Sequence, residues 1–360
     1  LNTLTTGQVK AMTSAQVVAL GTGKIDKLNA DALKSLSTSV VANLETDQVG
    51  VLASNQISAL TTSQVKALTT GAVAALTSAQ MDKLSAAQVA AMSTEQVAAI
   101  ESDDLALLTD AAVAAISTAA VANMSTDQVA ALASNQVAAL TTAQVKALTT
   151  EQVEAFTTEQ IDKLTSKQVA AMSTAQVAAI ETDDIALMTD SAVSAISTAA
   201  VANMTTDQVA ALASNQVAAL TTAQVKALAT EAVVALTSEQ IDKLTAKQVG
   251  AMTTAQIKAI ESDDLALMTD AQVAAISTAG IANMSTDQVA ALASNQVAAL
   301  TTAQVKALTT AEVEALSSTQ IDKLTATQVR AMSAAQVAAI ETDDLVVMTD
   351  AQVAAFSTAA

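Results

Sequence analysis

The chain has 360 residues and a formal net charge of −19, with no Cys, His, Trp, Tyr or Pro and two aromatic residues, Phe156 and Phe356. Imidazole and thiol chemistry, disulfides and thiolate metal sites are therefore excluded, and a nucleic-acid partner, which needs a basic patch and stacking side chains, is disfavoured. No apolar run is long enough to span a bilayer, because Thr, Ser, Gln and Asp interrupt the sequence every few residues.

From Leu4 to Phe356 every eighth residue is Leu, Met, Ile or Phe, without insertion. The residue three before it is also always apolar, as at Val9, Ile25, Leu33, Val65, Met81, Val145, Ile161 and Val353. The consensus octad is Thr-Thr-x-Gln-Val-x-Ala-Leu. A strict short period of this kind marks a one-dimensional repeat array, so function is expected to belong to the array rather than to one pocket.

The octad 141–148 illustrates the local expectation. With Thr141 as N-cap, Gln144 falls at the third helical position and completes a capping box, while Leu140 and Val145 take the two places of a hydrophobic staple. Charge placement agrees: of 35 acidic residues, 28 lie in the first four positions of their octad, and 13 of 16 basic residues lie in positions six or seven. That is the polarity a helix macrodipole favours. A continuous helix would carry the eight-residue pattern around its surface and leave no straight seam. A β-solenoid is the alternative, since Val and Thr suit strands, but the Ala, Gln, Leu, Met and Lys content and the scarcity of Gly weigh against it.

One octad cannot fold alone. Burying two apolar side chains gains on the order of 3–6 kcal/mol, whereas ordering eight residues costs roughly 8–16 kcal/mol of backbone entropy. The expected fold is therefore all-α: an α-solenoid of very short helices, one per octad, each completed by its neighbours.

Along the chain, residues 1–44 keep the octad but lose its detail. Gly-Thr-Gly-Lys at 21–24 lacks the spacing and the preceding strand of a phosphate loop. Asn-Gln-Val-Ala-Ala-Leu then recurs at Asn135, Asn215 and Asn295, giving 80-residue super-repeats of ten octads at 45–124, 125–204, 205–284 and 285–360, the last one truncated. Duplication explains this period; a structural reading is that ten octads match one superhelical turn or one lateral contact. Leu1 is not an initiator Met and Ala360 falls inside an octad, so the chain reads as a window of a longer polypeptide.

Each super-repeat carries one acidic block. Glu101, Asp103, Asp104 and Asp110 recur as Glu181, Asp183, Asp184 and Asp190, as Glu261, Asp263, Asp264 and Asp270, and as Glu341, Asp343, Asp344 and Asp350. Clustered hard oxygen ligands make these residues the candidate calcium sites, although the spacing is not that of an EF-hand. The competing reading is a solvated helix cap, because each carboxylate falls at an N-cap or in a first turn. No other cofactor is expected.

Other recurring residues have plainer readings. Asp82-Lys83, Asp162-Lys163, Asp242-Lys243 and Asp322-Lys323 read as solvated late-helix pairs. Asn123, Asn203 and Asn283 read as donors to a bend carbonyl or to a neighbouring chain. The Gln column is a candidate side-chain amide ladder, and Met124, Met172, Met188 and Met204 are core fillers.

The octads Leu-Thr-Thr-x-Gln-Val-x-Ala-Leu resemble, over essentially the whole chain, repeat regions of very large secreted or surface adhesin-like proteins of Gram-negative bacteria associated with type I secretion. That resemblance implies an extracellular or cell-surface stalk, fibre or matrix component. The functional expectation is a non-enzymatic structural protein that self-associates into a homopolymer or filament. The alternative is a periodic binding module for a regular target such as a surface or matrix polysaccharide or ice, or a calcium-dependent adhesin segment. Thr facing outward in flat ranks would favour binding; Thr consumed in caps would weaken it. An enzyme is least expected, because no octad concentrates a nucleophile, a base and an orienting group.

Overall fold

The computed structural model describes residues 4–356, and it is helical throughout its regular structure. Forty-four helices of four to six residues, one per octad, run from α1 (Thr6–Lys10) to α44 (Asp350–Ala355), with no strand among the described residues. The chain is an α-solenoid, and the β-solenoid alternative is set aside. No helix among the described residues is long and apolar enough to cross a membrane.

The predicted capping box forms. Thr141 is extended, at φ −69° and ψ 156°; its Oγ1 accepts from the Gln144 N–H at 3.2 Å, and Gln144 Oε1 accepts from the Thr141 N–H at 2.8 Å. At the other end of the helix the Leu148 N–H donates to the Val145 carbonyl at 3.2 Å, and Leu148 is itself extended. Two extended residues, at positions eight and one, thus join this helix to the next. Any L-residue adopts that backbone, which explains why the array turns so often with so few glycines. Among the described residues only Gly21 has a positive φ, 61°, as the N-cap of α3 (Thr22–Ile25). The irregular segment at 21–24 is a local variant of the bend.

Some octads have Ala in the N-cap place. Ala213 precedes α27 (Ser214–Ala219) and offers no hydroxyl to the third helical N–H. Ala213→Thr is therefore expected to stabilise this octad by about 1 kcal/mol, read as slower amide exchange across residues 214–219. Unchanged exchange would show that the cap does not limit local opening.

The contacts form two compact units, Leu1–Ile180 and Glu181–Ala360. Within each, a helix packs against the third helix before it and the third after it, so one turn of solenoid takes about three octads, or 24 residues. Both apolar positions of the octad face inward, except at Leu345 and Val353, which are exposed: Val145 is fully buried and Leu148 nearly so, as are Met124, Met172, Met188 and Met204.

Ten octads are not a whole number of three-octad turns. In the second unit the acidic-block helices α23 (Thr182–Ile185), α33 (Ser262–Leu267) and α43 (Thr342–Leu345) consequently stand in three different columns of stacked helices. The reading of the 80-residue period as one turn is corrected on this ground, since one turn takes about three octads. Duplication suffices for it.

Candidate functional site

The helices are so short that capping dominates their chemistry. A helix of four to six residues leaves nearly all of its N–H and C=O groups at an end, where they need partners from elsewhere. Position four supplies them. Gln144 uses its oxygen for its own N-cap, and its amide nitrogen reaches back one turn to donate to the Val113 carbonyl at 2.9 Å and the Ile116 carbonyl at 2.8 Å. Gln224 does the same to Val193 at 3.0 Å and Ile196 at 2.8 Å, and Gln304 to Val273 at 3.1 Å and Ile276 at 2.7 Å. These side chains are almost wholly buried.

The amide ladder expected of the Gln column does not form. Amide-to-amide bonding would leave buried backbone carbonyls without donors, and satisfying the backbone is worth more. Gln is instead a staple between successive turns. Its own-helix role was legible in the octad; its second role was not, because the acceptors lie 28 and 31 residues earlier.

The acidic blocks divide their carboxylates among separate tasks. Glu101, Glu181, Glu261 and Glu341 are exposed N-caps whose side chains make no capping bond. Asp103, Asp183, Asp263 and Asp343, two residues further on, are also exposed. Asp104, Asp184, Asp264 and Asp344 replace the staple Gln and are buried, at 4–7% exposure. Here the solvated-cap reading needs correction: Ser78 Oγ donates to Asp104 Oδ1 at 2.8 Å and Ser318 Oγ to Asp344 Oδ1 at 2.6 Å, so the carboxylate ties two turns together. Asp110, Asp190 and Asp270 each accept from an Asn amide 25 residues later, Asn135, Asn215 and Asn295, at 2.6 Å. Asp350 opens α44 and is exposed. Among the described residues no group of three or more Asp or Glu converges as a metal cluster would.

The remaining columns are local. Asn123, Asn203 and Asn283 donate to the carbonyls of Ala119, Ala199 and Ala279 at 2.7–2.8 Å, four residues back in their own helices. Lys163 and Lys243 pair with the preceding Asp162 and Asp242 at 2.6 and 2.8 Å, and hydrogen bonding and charge from that carboxylate raise the lysine pKa. Exposed pairs like these add little stability. The Glu95 and Glu151 carboxyls are held below the usual range, chiefly by their own backbone N–H and then by the N-cap hydroxyls of Ser93 and Thr149.

Two features were missed from sequence. Glu312 occupies a staple position; one carboxylate oxygen accepts from the Thr309 N–H at 2.5 Å, while Oε1 is buried without a hydrogen-bond partner. The other is a 24-residue spacing among acidic residues at octad position three, which acquires meaning only once the turn length is known.

The ALTTAQ repeat profile matches twelve overlapping or adjacent stretches: residues 25–62, 59–94, 97–134, 129–166, 146–179, 177–222, 209–246, 217–254, 257–294, 270–302, 289–326 and 297–334. Comparison with curated proteins finds no match. Those stretches take in well over half of the sequence, and the chain belongs to the ALTTAQ repeat family.

Proposed function

We propose that the array is a structural, extracellular component, a stalk, fibre or self-assembling filament at a bacterial surface or in its matrix. The observation that carries this reading is the interchangeability of its turns: one staple, one cap and two core positions recur in octad after octad. A chain built this way gains length by adding equivalent units, and each added turn buries the open carbonyls of the one before. Equivalent surfaces along one chain also suit heterologous association between copies. The excess negative charge favours solubility in an exposed setting.

The periodic binding module draws less support. The first Thr of each pair, as at Thr141 and Thr221, is consumed as an N-cap, so the doubled Thr ranks are not free to meet a flat target.

Negative-stain electron microscopy of the purified chain, with and without calcium, tests the proposal. Ordered fibres are expected, and fibres only in calcium would add a metal role for the acidic blocks. Isolated single molecules at high concentration under both conditions would overturn the filament.

A further inference from the structure

We infer that a basic groove among the divergent octads docks on acidic ladders of a second copy of the chain. This rests on the self-association proposed above and assigns it a surface.

The groove lies where α1 (Thr6–Lys10) stacks on α4 (Ala30–Ser35). It encloses about 670 Å³ and is lined by Lys10 and Lys34 together with Thr6, Ser37, Thr38 and Thr61; no carboxylate lines it. Lys10 and Lys34 hold the same octad position one solenoid turn apart, and both are exposed. Among the described residues neither is ion-paired; the salt bridge of this region joins Lys27 to Asp26. The setting is unusual for this chain. Residues 1–44 contain Lys10, Lys24, Lys27 and Lys34 against Asp26 and Asp31, a net charge of +2, whereas the whole chain carries −19. Lys10 and Lys34 thus stand unpaired in a stretch where acid is sparse.

The complementary surface recurs along the array. Asp103, Asp127 and Glu151 stand at octad position three of α13 (Ser102–Leu105), α16 (Thr126–Ala130) and α19 (Thr150–Glu154), helices that stack directly on one another. Asp183, Asp207 and Glu231 do so on α23, α26 (Thr206–Ala211) and α29 (Thr230–Val234), and Glu239, Asp263 and Asp287 on α30 (Ser238–Lys243), α33 and α36 (Thr286–Ala291). All nine are exposed. Each set is a ladder with one carboxylate per turn.

The spacing matches. Two lysines one turn apart meet two successive rungs one turn apart on an identical scaffold, so both pairs form in one register. The groove hydroxyls add neutral donors to the carboxylate oxygens. Each exposed pair is weak and screened by salt, so the contact depends on several acting together and on ionic strength. Groove and ladder are different surfaces, so the contact is heterologous and need not close, and it propagates from copy to copy.

Surface plasmon resonance between immobilised and free copies tests this, with circular dichroism confirming that each variant keeps its helical spectrum. Wild-type chain should bind wild-type chain at low salt, and Lys10→Glu with Lys34→Glu in the free copy should lower the affinity at least tenfold. An immobilised copy carrying Asp183→Lys, Asp207→Lys and Glu231→Lys should recapture that charge-reversed free copy. Wild-type binding that the lysine reversals do not weaken would overturn the groove and leave self-association standing. Loss without recapture would overturn the ladders as its partner. No binding between wild-type copies at any salt would remove this inference and the filament together.

Discussion

Gln144→Leu should loosen the array locally by about 3 kcal/mol, and amide exchange in the octads on either side of the lost staple should accelerate on the order of a hundredfold. The side chain keeps its bulk in this substitution, so the core stays filled. What is lost is polar pairing: the Ile116 and Val113 carbonyls lose a donor and the Thr141 N–H loses its side-chain acceptor, all in a place where water does not easily replace them. Hydrogen exchange read by mass spectrometry is the suitable measurement, because a repeat array need not unfold in one cooperative step and a single midpoint would average the effect away. Exchange confined to its wild-type rate around residues 113–116 and 141–147 would mean that apolar stacking alone holds the turns. Gln224 and Gln304, which make the same bonds from later super-repeats, should give the same result and serve as replicates within one chain.

Glu312→Gln should have the opposite sign. Glu312 already completes its own capping box, but its other oxygen lies buried and unpartnered where the amide nitrogen of a Gln stands in neighbouring octads. By the register of Gln304 and Gln320, a Gln at 312 would donate to the carbonyls 31 and 28 residues earlier, those of Ile281 and Met284. Supplying the missing donor should stabilise this part of the array by about 1–3 kcal/mol. The expected readouts are a higher urea concentration for local opening and slower exchange in α35 (Thr278–Ile281) and α39 (Thr310–Glu314). The reverse change, Gln304→Glu, should destabilise its own turn by a similar amount. If Glu312→Gln proves neutral or harmful, the carboxylate has a partner that the register does not provide.

The candidate acidic site shows where reading the octads stops. Placing Glu101, Asp103, Asp104 and Asp110 in one block treats closeness in sequence as closeness of function. In the fold Asp104 turns inward to Ser78, Asp110 is held by Asn135, and Asp103 faces solvent on a helix that stacks on that of Asp127, a residue outside the block. A helix of four residues presents successive side chains at about 100° intervals, so neighbours in sequence diverge. Carboxylates that stack do so because they sit three octads apart.

The helices, their caps and their inward faces were legible in the octads. Those features depend on interactions within one octad or across its boundary: the Thr141 hydroxyl with the Gln144 N–H, Val145 and Leu148 on one side of a short helix, and charge sorted along the dipole. What touches what between turns emerged from the packing: three octads per turn, the reach of Gln to carbonyls 28 and 31 residues away, and the assembly of acidic ladders and a lysine groove. The reason is physical: octads that are nearly identical carry no local signal of how many close a turn. That number follows from how the bends and buried side chains pack together, and every long-range partner is fixed by it.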